Sequence, residues 1–164
     1  MKYIAVLLLL LPLTALASDI DYLMIKMMQP KVVTMKKLGD IEGMAKYIKQ
    51  LEIDIKDKLS KVESNSNWGF LVIAVRSDGK IKAWLDSDDE VPSTVANTMT
   101  NLAENRTGFM VKEGAVVFSL GYAINGAPLP SEKMPFPNEW KKISHCTNED
   151  CQDVDVEALT LNSW

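Results

Sequence analysis

The sequence predicts an α+β domain: an antiparallel sheet of about four strands, packed by a long N-terminal helix and by a second helix between strands two and three. Three stretches carry this expectation. Phe70–Val75, the turn Ser77-Asp-Gly-Lys80 and the return Lys80–Leu85 read as a β-hairpin, because Asp-Gly between two strand patterns accepts the positive φ of a tight turn. Asp40–Val62 places Ile41, Met44, Ile48, Leu51, Ile55, Leu59 and Val62 at steps of three and four, one continuous apolar stripe. Val116, Phe118, Leu120 and Tyr122 alternate with Ala115, Val117, Ser119 and Gly121, as a strand with one helix-covered face does.

Taken in order, the chain opens with Met1-Lys2, a mostly apolar run from Ile4 to Leu16, and Ala15-Leu16-Ala17. That pattern is expected to be a secretory signal peptide over residues 1–17, cleaved after Ala17. The run is shorter than the roughly 20 residues that span a bilayer, so no stable membrane anchor is expected after cleavage. Residues 18–164 then form one exported domain, periplasmic or secreted, large enough for its own core. Without Lys2 the balance is 17 basic against 22 acidic side chains, or −5. With no basic stripe, nucleic acid is not expected as a partner.

Residues 19–39 are ambiguous. Ile20, Leu23 or Met24, and Met27 fall at helical spacing, with Asp19 as a cap and Pro30 as a stop, while Val32, Val33 and Thr34 suit a strand. The five methionines up to Met44 suggest a soft packing surface, read as core filling ahead of a binding groove. In the long helix, Asp40 stands at the N-cap position and Ser64-Asn-Ser-Asn67 ends the segment. Its other face, with Lys46, Lys49, Lys56, Lys58 and Lys61, is a solvated surface by default.

Trp84 falls on the lysine face of the return strand, either packed on lysine stems or part of a contact site. Asp86, Asp88, Asp89 and Glu90 precede the second helix. Acids there complement a helix N-terminus, and they lack the spacing of a calcium loop. Pro92 starts that helix, and Val91, Val95, Met99 and Leu102 line its face. Asn105-Arg106-Thr107 matches a glycosylation sequon and is read as chance. After Asn125-Gly126, the prolines 128, 130, 135 and 137 exclude a central strand, so Phe136 and Trp140 belong to a strap over a sheet edge or to a recognition loop. Asp153–Leu161 reads as a last strand. Cys146 and Cys151 are expected to pair in an oxidising compartment.

Catalytic chemistry is sparse. His145 is the single histidine, no serine sits in a nucleophile-elbow setting, and no glycine-rich phosphate loop exists. His145, Cys146 and Cys151 lack the paired short spacings of common structural zinc sites. No cofactor is implied, and an enzyme is the minority reading.

The stretch Trp68–Tyr122 resembles the C-terminal domain of TonB- and TolA-type periplasmic proteins. The resemblance is carried by Phe70–Val75, Ser77-Asp-Gly-Lys80, the helix from about Pro92, and Glu113-Gly114 leading into Val116–Leu120. It implies a domain shape and a habit of binding other envelope proteins, and it transfers no functional residue. TonB-like energy transducers keep an uncleaved anchor and a long proline-rich spacer, where this chain is expected to be cleaved and has a charged helix. The expected function is therefore an exported, non-enzymatic protein–protein interaction module whose partner is another envelope or exported protein. A periplasmic immunity protein with acidic patches for a basic toxin, and a hydrolase of envelope polymers, are the alternatives. Trp84, Asp86, Asp88, Asp89, Glu90, Phe136 and Trp140 are the candidate partner-binding residues.

Overall fold

The computed structural model describes residues 18–88, 90–128, 134–144 and 154–164. Four antiparallel strands form one sheet: β1 (Ile20–Met27), β2 (Asn67–Arg76), β3 (Ile81–Ser87) and β4 (Ala115–Ile124), in the order β1-β4-β2-β3. The helices are α1 (Lys31–Lys37), α2 (Ile41–Leu59), α3 (Ser93–Glu104), α4 (Asn138–Ser144) and α5 (Val156–Asn162). The α+β class, the long helix and the helix between the second and third predicted strands are all present. Among the described residues no helix is long and apolar enough to cross a membrane.

The hairpin turn differs in detail from the expectation. Only Gly79 has positive φ (80°), and its N–H donates to Arg76 C=O at 3.0 Å, while Arg76 N–H donates to Lys80 C=O at 2.9 Å. This is a three-residue loop with glycine in the left-handed position, so Asp78 keeps ordinary backbone angles. Asp78 serves the turn through its side chain, which accepts from Arg76 Nη2 at 2.7 Å and from Lys80 N–H at 3.2 Å.

Residues 19–39 resolve as strand then helix. Pro30, which looked like the stop of a helix, instead caps the start of α1. Eight residues of mixed apolar character fit either period, and the unpaired side of β4 decides for a strand. At the other end, Asp153–Leu161 is corrected from strand to helix. Asp155 accepts from the backbone N–H groups of Glu157 and Ala158, and Leu159 and Thr160 bury themselves at the i+3 and i+4 positions from Val156.

The sheet is covered on both faces. Against one face lie α2 and α3. Leu51, Ile55 and Leu59 of α2 and Val95, Met99 and Ala103 of α3 meet Leu71, Ile73, Val116, Phe118 and Leu120. Asp40 caps α2 by accepting Gly43 N–H at 2.8 Å. Phe70–Val75 is apolar on both faces, as a strand covered on both sides is, and the small β4 residues Val117 and Ser119, expected to point outward, are buried with the other eight. On the other face α4, α5 and the proline strap pack Trp140, Leu159 and Phe136 onto Phe70, Val72, Ala74, Trp84 and Val117. The methionines are mostly core filling: Met28 and Met44 are buried, and Met24 and Met27 pack partly against the two cores, while Met35 is exposed.

Candidate functional site

Two of the aromatic residues expected to meet a partner, Trp84 and Trp140, are inside the protein, and Phe136 is half-buried. Trp84 is 4% exposed and Trp140 is fully buried. Their rings meet edge to face at 5.6 Å, and Phe136 meets Trp140 in the same way at 5.8 Å. Trp84 and Trp140 are thus corrected from a binding surface to the second core, against which the half-buried Phe136 packs. The strap reading is the one the geometry matches. The signal missed was long-range: an aromatic on a lysine-flanked strand has a partner 56 positions further along the chain.

The acidic loop is likewise structural where it is described. Asp86 accepts Phe136 N–H at 2.8 Å and so ties the strap to β3. Asp88 accepts Trp68 N–H at 3.0 Å, and its own N–H returns to Trp68 C=O at 3.1 Å, which extends the hairpin ladder by one pair. Neither acid lies in the first turn of α3. Glu90 is exposed, and Asp89, His145, Cys146 and Cys151 lie outside the described residues. Further along, Glu157 accepts from Lys37 Nζ at 2.8 Å and from Ala115 N–H at 2.9 Å.

The described residues also form a cleft of about 910 Å³ between α2 and α3, closed at one end by residues 106–110. One wall is a single stripe of α2, namely Gly43, Tyr47, Gln50, Asp54 and Lys58, spaced by three or four residues. The opposing wall is Thr98, Asn101 and Asn105 of α3 and its C-cap. At 1.5 Å per residue, the α2 wall runs about 22 Å. Polar side chains make up most of both walls. Beneath them, Leu102 and the rings of Tyr47 and Phe109 form an apolar floor, with the two rings edge to face at 5.8 Å.

Charge in the cleft is organised around Asp54. Its carboxylate accepts from Arg106 Nη2 and from Gln50 Nε2, the latter at 3.1 Å, while Arg106 Nε is buried without an acceptor among the described residues. Tyr47 donates its hydroxyl to Ala103 C=O at 2.9 Å. Burial pushes the Tyr47 phenol far above its ordinary range; Arg106 pulls it down and Glu104 adds to the rise. The phenol is therefore a fixed donor and not a base. Lys46 and Lys58 stand on the rim with no ionic partner among the described residues. At the loop end Met110 is 60% exposed.

Such a cleft is open, long and mixed in polarity. It suits a segment of another chain better than an enclosed metabolite, for which apolar enclosure is the rule. Sequence reasoning had read this flank of the helix as solvated surface, since nothing local marks Gln50, Asp54 and Lys58 as facing another helix. Among the described residues no three His, Cys, Asp or Glu side chains converge as a metal site would require. Comparison with protein families finds no matching family model, and comparisons with curated proteins and with solved structures find no match.

Proposed function

We propose that this chain is an exported, non-catalytic module that binds another envelope or exported protein through the α2–α3 cleft. The cleft itself carries the reading: two polar helix walls over an apolar floor, with two rim lysines that have no ionic partner among the described residues. The partner segment presents an apolar side chain to Tyr47, Leu102 and Phe109 and acidic groups to Lys46 and Lys58. The hairpin–helix–strand order β2-β3-α3-β4 supports a TonB/TolA C-terminal-like shape and, with it, a binding role in the envelope. The leader-like residues 1–17 support export.

The test is capture from an envelope extract by the tagged chain as the cell processes it, with the bound protein identified by mass. Asn101→Trp, which fills the cleft, and the pair Lys46→Glu with Lys58→Glu are expected to weaken capture of that protein by roughly tenfold or more. Lys49→Glu, outside the cleft, retains it. Equal capture by the cleft variants, or no captured protein at all, overturns the reading.

A further inference from the structure

The two edges of the sheet are treated differently. At β3, Ala83 N–H donates to Glu104 Oε1 at 3.0 Å, and Lys82 holds the same carboxylate at 3.1 Å. The strap adds its own bond to Asp86. That edge is closed against further strands. At β1 no such cover exists among the described residues, and Ile25 is 53% exposed.

The hydrogen-bond phase of β1 follows from two bonds at its ends. Asn125 N–H donates to Asp19 C=O at 2.8 Å, and Met28 N–H donates to Val117 C=O at 3.1 Å. Odd-numbered β4 positions therefore bond to β1, so their partners Asp21, Met24 and Lys26 direct backbone groups inward. Ile20, Tyr22, Ile25 and Met27 pair with even-numbered β4 positions and direct N–H and C=O outward. The shift from even to odd numbers comes from the bulge between Tyr22 and Met24.

We infer that β1 is a homodimer edge, pairing antiparallel with β1 of a second copy to join the two sheets. One register uses all four outward positions: Ile20 opposite Met27 and Tyr22 opposite Ile25 of the second copy. The same register sets Asp21 opposite Lys26 twice, once on each side of the two-fold axis, with both side chains on the same face of the sheet. Opposite charge meets opposite charge only because the bulge has moved the outward set by one residue. A strand that matches itself in both backbone phase and charge selects its own copy over an unrelated segment. Lys26 Nζ lies over the Phe70 ring at 4.9 Å, and an ammonium with three N–H donors can keep its contacts within the chain and still donate to a carboxylate across the two-fold axis.

Edge pairing alone buries less than the roughly 1,000 Å² of a stable interface, so the dimer is weak and depends on concentration. Sedimentation equilibrium of the full chain up to about 1 mM, the range of weak complexes, is expected to show the mass doubling. Ile25→Pro removes an outward N–H that has no partner among the described residues, and is expected to leave a folded monomer. Asp21→Lys and Lys26→Asp each weaken association by roughly tenfold; the double reversal restores it, and so does an equimolar mixture of the two single variants. A chain that stays monomeric throughout, or single reversals that associate like the wild type, overturns the inference. Should Ile25→Pro fail to fold, the charge-reversal set decides alone.

Discussion

Gln29 stands in for a strand residue, and its replacement is the sharpest test of the fold's hydrogen-bond accounting. After Met28 the chain leaves β4 for α1, and the odd-numbered β4 groups that face it would lose their partners. The Gln29 amide takes their place: Nε2 donates to Ala115 C=O at 3.1 Å and Oε1 accepts Val117 N–H at 3.1 Å. Gln29 is 6% exposed, and Ala115 and Val117 are fully buried. Gln29→Met keeps the volume and removes both bonds. Each orphaned buried group costs about 1–3 kcal/mol, so the variant should lose about 2–4 kcal/mol after partial relaxation. That is a large share of the 5–15 kcal/mol typical of a domain. Urea titration reads it as a lower midpoint at unchanged slope. Gln50→Met, at an exposed amide bonded to Asp54, is the control and should stay within about 0.5 kcal/mol. Gln29→Glu adds a sign. A carboxylate still accepts Val117 N–H but faces Ala115 C=O without a donor. Its folded pKa is raised, so the variant lies nearest the wild type below about pH 4 and falls away as pH rises. A Gln29→Met midpoint equal to that of the wild type would refute the strand-mimic argument.

Other outcomes follow from the same structure. Burial is the largest cause holding the phenols of Tyr22, Tyr47 and Tyr122 protonated, well above their ordinary range, with Glu52, Glu104 and Asp88 adding to the rise at Tyr22, Tyr47 and Tyr122 respectively. The unfolded chain releases those protons near pH 10 and the folded chain does not, so stability is intact below pH 10 and declines above it. The slope is about 1.4 kcal/mol per pH unit for each tyrosine, readable by urea midpoints together with tyrosinate absorbance. The Tyr22 hydroxyl is buried without a partner among the described residues, so Tyr22→Phe should be neutral or stabilising by up to about 1–2 kcal/mol; a clear destabilisation would count against that accounting. Gly114→Ala should cost about 2 kcal/mol or more, against about 1 kcal/mol for Gly126→Ala. Both have positive φ, but a Cβ at Gly114 would fall on Glu157 Oε1 and 2.8 Å from Lys37 Nζ, whereas nothing lies within 4 Å at Gly126. Equal melting temperatures for the two variants would count against the Lys37–Glu157–Ala115 junction.

The centre of this fold was legible because its signals are local. A nineteen-residue amphipathic helix, an Asp-Gly turn and a ten-residue strand each state their period within a single window. The ends were not, because seven- and eight-residue segments support more than one period, and distant partners settle the choice. β1 is a strand because β4 needs an edge neighbour; α5 is a helix because Asp155 caps it over a sheet face that required cover. The candidate site failed for a related reason. Trp84 is polar-flanked in sequence and buried in space, because Trp140 arrives from another layer. The cleft was invisible because its walls are ordinary polar residues until two helices set them face to face.

The cleft and the β1 edge lie on opposite flanks of α2, and this bears on how the module would act. Gly43, Tyr47, Gln50, Asp54 and Lys58 face α3 across the cleft. Lys56 turns the other way and meets Asp19 beside β1 at 3.4 Å. Pairing through β1 therefore leaves both clefts open and presents them twice, related by a two-fold axis. A partner with two binding segments would gain effective concentration without any new contact in either cleft. Ile25→Pro touches no cleft residue, so it should lower the apparent affinity for a two-segment partner roughly tenfold or more while leaving a single-segment peptide unaffected. If both ligands weaken together, the proline has disturbed α2 through the sheet; if neither does, cleft binding is monovalent and the dimer serves another end.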